Sequence, residues 1–203
     1  MALRLNGSNT GYVELDVPAA AGSHTLTLPD GGGTSGQYLQ TNGSGGLSWQ
    51  TVAGVSVARI TDSKASGTGG GAFTSGAWRT RDLNSIEDDP DSIVTLSSNQ
   101  FTLGAGTYLI EWSAPAYDVD QHKTQLWDVT GSTDLAKGTS EFVDLTDAVQ
   151  TRSFGFDVVT LTASNAFEIQ HRCQTTKTAV SGLGVASSMA AEKYTMVTIF
   201  KLS

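Results

Sequence analysis

Apolar and polar residues alternate along most of this chain, and the alternation predicts strands. Tyr12-Val13-Glu14-Leu15-Asp16-Val17 alternates strictly, which puts Val13, Leu15 and Val17 on one face. His24-Thr25-Leu26-Thr27-Leu28 does the same for Leu26 and Leu28, and residues 37–40 and 47–52 add two further short runs. Turn signals separate them: Asn6-Gly7, Asp30-Gly31, Asn42-Gly43 and Gly45-Gly46. From Val55 onward, runs rich in β-branched and aromatic residues cover 55–61, 92–96, 107–113, 124–129, 154–161, 167–173 and 194–202. No stretch sustains a helical period with caps at both ends. The pattern predicts an all-β chain: a small β module over 1–54, then a β-sandwich over 55–203. Residues 63–71, rich in Gly and Ser, read as a flexible loop.

The last run carries more information than the others. Its two faces are Tyr194, Met196, Phe200 and Thr195, Val197, Ile199, so both hold large apolar groups. A strand apolar on both faces is covered twice, whereas a two-layer sandwich covers only one face. The second cover is expected to be another copy of the chain, with a loop of the same chain as the alternative. Tyr194, Met196 and Phe200 are therefore candidate contacts between copies. Tyr108 and Trp112, at even spacing with Ile110, are assigned to the core or to the same contact.

Composition sharpens this picture. The chain has 203 residues, is 38% hydrophobic and 16% charged, and holds 23 Gly, so its surface is neutral and hydroxyl-rich. Residues 1–54 contain few large apolar side chains. A module of roughly 50 residues without disulfide or metal does not easily offset its chain entropy alone. Assembly between chains is the remedy that remains, which makes 1–54 an intertwined module; a partly disordered linker is the alternative. The net charge of −8 disfavours a nucleic-acid partner. No run approaches the roughly 18 apolar residues of a membrane span. The opening residues show no apolar signal stretch, which sets the expectation of a route other than ordinary secretion.

Candidate chemistry is sparse, and no cofactor is expected. The three histidines are His24, His122 and His171, and no serine sits in a nucleophile elbow, so an enzyme is not expected. Cys173, the only cysteine, shares a strand face with Phe167, Ile169 and His171, which reads as a buried thiol beside a core histidine. Glu87-Asp88-Asp89-Pro90-Asp91 reads as a solvated loop, since its spacing is not that of a calcium loop. Asp118, Asp120 and His122 share a face if their segment is extended. Trp78 and Trp127 lie nearer loop signals and, with Tyr117, are the candidates for surface recognition, with sugar rings as one ligand class.

Two stretches carry a resemblance. Gly11-Tyr-Val-Glu-Leu-Asp-Val-Pro-Ala-Ala-Ala-Gly-Ser-His-Thr-Leu-Thr-Leu-Pro29, continued by Gly36-Gln37 and Asn42-Gly43-Ser44-Gly45-Gly46-Leu47-Ser48-Trp49, resembles a module of tailed-phage tail-fibre and virion-appendage proteins. Residues 81–84, 91–111, 170–173 and 198–202 are similar to a domain that often follows that module, and the element Phe101-Thr102-Leu103 with Gly106-Thr107-Tyr108 resembles the signature of the trimeric jelly-roll heads of the complement and tumour-necrosis-factor superfamily. The resemblance implies a homotrimer with its C-terminal strand near the threefold axis. It also implies a structural protein on the virion surface, bound to other capsid or tail proteins through 1–54. A short fibre or fibre tip that recognises a host-surface glycan and a capsid decoration (cement) protein both fit.

Overall fold

A computed structural model describes residues 3–6, 10, 12–15, 22–23, 25–52, 54–146 and 149–203; His24 lies outside them. The chain divides into two compact units, Met1–Gly54 and Val55–Ser203. The first holds two hairpins. β1 (Leu3–Asn6) pairs with β2 (Tyr12–Leu15), and β3 (Gln37–Thr41) pairs with β4 (Leu47–Thr51). The run around Leu26 and Leu28 forms no strand. It contributes one parallel bridge, Thr27 to Gly46, and both leucines are 66% exposed. Tyr38, Leu39 and Val52 are exposed as well, so these five apolar side chains stand in solvent on a single chain.

The second unit is a sandwich of two antiparallel sheets. Its strands are β5 (Ser56–Lys64), β6 (Arg79–Thr80), β7 (Ser85–Asp88), β8 (Val94–Ser97), β9 (Gln100–Leu103) and β10 (Gly106–Tyr117). They continue with β11 (Asp120–Asp128), β12 (Thr133–Lys137), β13 (Glu141–Val143), β14 (Gln150–Leu161), β15 (Asn165–Cys173) and β16 (Glu192–Lys201). One sheet runs β14-β10-β16-β5-β7, with β16 at its centre. The other runs β12-β11-β15-β9-β8, with β13 added on β11 and β6 on β15. This is the expected all-β jelly-roll sandwich after a small N-terminal β module.

Period-two alternation fills the space between the sheets. Tyr108, Ile110 and Trp112 of β10 join Val197 and Ile199 of β16 and Ala58 and Ile60 of β5. They meet Leu126, Phe167, Ile169, Phe101 and Leu103 from the opposite sheet. Phe101 and Phe167 face each other across paired strands, ring centroids 5.6 Å apart.

Two local features differ from the sequence reading. β8 and β9 are joined by Ser98-Asn99, both at positive φ (52° and 64°), the geometry of a tight hairpin turn without its usual glycine. The 63–71 segment is tied down. Gly70 N–H donates to Gly184 C=O (2.9 Å) and Gly71 N–H to Val180 C=O (2.7 Å). A Cβ at Gly70 would stand 2.6 Å from the Leu183 carbonyl oxygen, so the glycine is required by close backbone approach. Glu192 fastens the same region by accepting from the N–H groups of Gly67, Ser187 and Ser188, which holds its carboxyl down at about 2.

Candidate functional site

The two sheets present different outer faces. On the five-stranded sheet, β14 alternates so that Phe154, Phe156 and Val158 point outward, 55%, 71% and 56% exposed. Cross-strand register carries this face onto β10 and β16. Val158 stands opposite Leu109, and Leu109 opposite Phe200. Phe154 stands opposite Ser113, and Ser113 opposite Met196. Between these rungs runs a polar one, Phe156–Glu111–Thr198–Arg59, which ends in an ion pair of Arg59 with Asp88 (3.6 Å). Phe154, Phe156, Val158 and Met196 alone leave on the order of 400 Å² of apolar side chain in water, as much as the largest patch of an ordinary monomer.

Of the five residues assigned to a contact between copies, only Met196 and Phe200 lie on this face. Tyr108 and Trp112 are 1% and 3% exposed and point into the protomer core. Trp112 packs under Gly155, where a Cβ would stand 2.1 Å from its ring, and its Nε1–H donates to Thr124 Oγ1 at 2.8 Å. Tyr194 is also internal, because an irregularity between Lys193 and Met196 breaks the alternation and buries both Tyr194 and Thr195. Its hydroxyl donates to the Thr68 carbonyl at 2.6 Å. The sequence reading missed Phe154, Phe156 and Val158, whose spacing was the available signal.

The outer face of the seven-stranded sheet is polar. Outward rungs pair Trp127 with Glu168, Gln125 with Gln170, and Lys123 with Arg172. The first two are satisfied. Gln125 Nε2 donates to Gln170 Oε1 (2.5 Å), and Gln170 Nε2 to Glu168 Oε1 (2.6 Å). Thr80 and Gln100 donate to Glu168, and Lys137 donates to Gln125. Beyond the last rung opens a cavity of about 850 Å³, lined by Trp78, Gln121, Lys123, Phe142, Arg172 and Gln174 among others. Trp78 is half-buried, with the Lys137 ammonium 4.9 Å from its ring centre. Trp127 and Tyr117, the other recognition candidates, are half-buried and do not line this cavity; Tyr117 has Lys177 over its ring at 5.5 Å.

Beneath the cavity lies a buried polar cluster. The His122 and His171 rings meet at 2.9 Å (Nδ1 to Nε2), and His122 Nε2 stands 2.8 Å from Thr151 Oγ1. His171 Nδ1 is buried without a partner. The arrangement that spares a buried N–H has His171 Nε2–H donating to His122 and His122 Nε2–H donating to Thr151. Burial, reinforced by the Arg81 charge, lowers His122 to about 4 and His171 well below its ordinary value. Arg81 is itself fully buried, donates to Thr195 Oγ1 and the Leu183 carbonyl (both 2.9 Å), and is pulled down to about 10 by desolvation. Cys173 is buried and its thiol is pushed up to about 11, so it holds no thiolate at neutral pH.

The remaining acidic candidates are structural. Asp89 accepts from the N–H groups of Ile93 (2.8 Å) and Val94 (3.1 Å), while Glu87 pairs with Lys193. Asp118 adopts positive φ (56°) and lies before β11, so it does not join His122 on a strand face; Asp120 opens β11, also at positive φ (66°), two residues before His122. Asp118 instead pairs with Lys177. Among the described residues, no group of three or more His, Cys, Asp or Glu side chains is placed to hold a metal ion, and no helix is long and apolar enough to cross a membrane.

No protein-family model and no curated protein matches the chain. Solved structures do. The globular domain of zebrafish complement 1qA protein is 13% identical, with 73% of this chain and 98% of that one covered, at a TM-score of 0.47. Murine APRIL at pH 8.0 is 10% identical, covering 73% and 100%, at 0.48. The Eiger TNF from S. frugiperda is 13% identical, covering 74% of this chain and 94% of that one, at 0.50. At such identity the last of these likenesses speaks to architecture alone, and it agrees with the sheet order above: the chain carries a jelly-roll sandwich of the tumour-necrosis-factor type.

Proposed function

We propose that the chain is a homotrimeric structural protein of a bacteriophage particle. Residues 1–54 attach it to other virion proteins, and the 55–203 head is displayed on the virion surface as a short fibre or fibre tip that recognises the host. The observation that carries the trimer is the apolar outer face of the five-stranded sheet. Burying the roughly 400 Å² noted above contributes on the order of 10 kcal/mol per protomer before the cost of association. Exposed Leu26, Leu28, Tyr38, Leu39 and Val52 support the same reading for the N-terminal unit, which other copies of the chain would cover. Three copies of one loop set on a rigid head turn weak binding into firm attachment through avidity. The role is binding without turnover, and neither nucleic acid nor membrane insertion enters it.

A second reading is a trimeric capsid decoration protein that stabilises the shell. It is favoured by β3 and β4, a two-stranded sheet among the described residues: Thr27 meets the start of β4, where Leu47 N–H donates to its carbonyl (2.9 Å), and the outer edge of β3 is suited to strand addition on a shell protein. Immunolabelling of the particles whose genome encodes the chain tests both. Label at the tail supports the fibre, and label over the whole shell supports the decoration protein. Particles without the chain refute the virion assignment altogether.

A further inference from the structure

The Lys123–Arg172 rung is the anomaly of the polar face. The two residues stand directly opposite on β11 and β15, where like charges repel. Among the described residues neither makes an ion pair, although the chain has 20 acidic and 12 basic side chains. The neighbouring rung shows the ordinary solution: Gln125 and Gln170 satisfy each other at 2.5 Å. At the last rung two cations instead face the cavity, whose lining holds aromatic and amide side chains and one carboxylate, Glu141, which accepts from the Thr139 hydroxyl (2.6 Å) and makes no ion pair with either cation. Trp78 directly precedes β6, whose Arg79 pairs with His171, so the indole arrives next to Arg172. Phe142, 58% exposed, comes from β13, where it pairs with Gln121.

We propose that this cavity binds a saccharide bearing an anionic group, with the anion between Lys123 and Arg172 and a sugar ring against Trp78. A pyranose offers a C–H face to an aromatic ring and hydroxyls around its rim, which Gln121 and Gln174 are placed to meet. A carboxylate or phosphate on the sugar accepts charge-assisted hydrogen bonds and relieves the repulsion of the rung. About 850 Å³ accommodates a short saccharide. The site lies within one protomer, deepens the host-recognition reading, and rests on it for the biological source of the ligand.

The test is titration calorimetry on the full chain with trigalacturonate, with the neutral galactose trisaccharide and with acetate, at low salt. The expected result is trigalacturonate binding at least about tenfold tighter than either comparison compound. Arg172→Gln and Trp78→Ala each weaken it by about tenfold or more. Arg172→Gln also raises the melting temperature by about 1–3 °C, because it removes the like-charge rung; lost binding with gained stability marks a ligand site and not a packing residue. Equal binding of acid and neutral trisaccharides, acetate binding as tight as trigalacturonate, unchanged binding by Arg172→Gln, or no heat at tens of millimolar overturns the proposal. Mass determination on the same sample separates the two readings. A monomer that binds trigalacturonate refutes the trimer and supports the site, and a trimer that binds nothing refutes the site alone.

Discussion

The two sheets of the head share a core between them and differ almost completely on the outside. The five-stranded sheet turns Phe154, Phe156, Val158 and Met196 to solvent, while the seven-stranded sheet turns out Gln125, Gln170, Glu168, Lys123 and Arg172. Inward alternation alone specifies the sandwich, so the outward residues are free to specify something else. An apolar face left open asks for a protein partner, and a polar face with an unpaired cationic rung asks for a small anionic one. In the reading proposed above, the first face joins the copies and the second is what the assembly displays.

The comparison is broken most severely on the apolar face. Phe156→Asp buries a carboxylate in each copy of the assembly, and a lone buried charge costs about 3–5 kcal/mol. The expected outcome is a folded chain that sediments at the monomer mass while keeping its β circular dichroism. The matching change on the inner side, Phe167→Ala, removes a fully buried ring and costs about 3–5 kcal/mol of fold stability, read as a lower denaturant midpoint. An outer substitution that unfolds the chain, or an inner one that only dissociates it, contradicts the division of roles between the faces.

Acid sharpens the comparison from the other side, because the histidine cluster belongs to the polar sheet. His122 is lowered to about 4 in the folded chain, whereas an unfolded chain takes up its proton near pH 6.5. Between those values the unfolded state binds a proton that the folded state refuses. Stability is therefore full above about pH 6.5 and falls by about 1.4 kcal/mol per pH unit per histidine as the pH drops. His171, shifted in the same direction, adds to the loss. Urea midpoints at pH 7.5 and 5 check this, and His122→Gln flattens the dependence. Glu192 acts in a lower window: its depressed value means that its contribution is lost only below about pH 4.5. Gly70→Ala comes next, at about 1–3 kcal/mol, because the Leu183 carbonyl blocks the added carbon. Lys193→Ala, which breaks the exposed pair with Glu87, changes the midpoint by less than about 1 kcal/mol.

The fold was largely legible because the jelly roll is written in period-two alternation, which the long strands β10, β14 and β15 and the second half of β16 follow. What the sequence hid was local. β8 and β9 turn on Ser98-Asn99, which lacks the glycine that usually marks such a hairpin. The irregularity at Tyr194 shifts one residue of the last strand inward, so a face read by simple alternation assigned it wrongly. Tyr108 and Trp112 were ambiguous for a different reason: spacing shows which residues share a face, but not which face is inside. The Lys123–Arg172 rung was invisible, since it depends on the register between strands about 50 residues apart, which no short-range pattern contains.

Sedimentation equilibrium of the unmodified chain at micromolar concentration tests the account most directly. The apolar outer sheet predicts association, and the proposed homotrimer a single species at about three times the 21.2 kDa chain mass. A well-behaved species at 21.2 kDa, soluble with Phe154 and Phe156 in water, contradicts it.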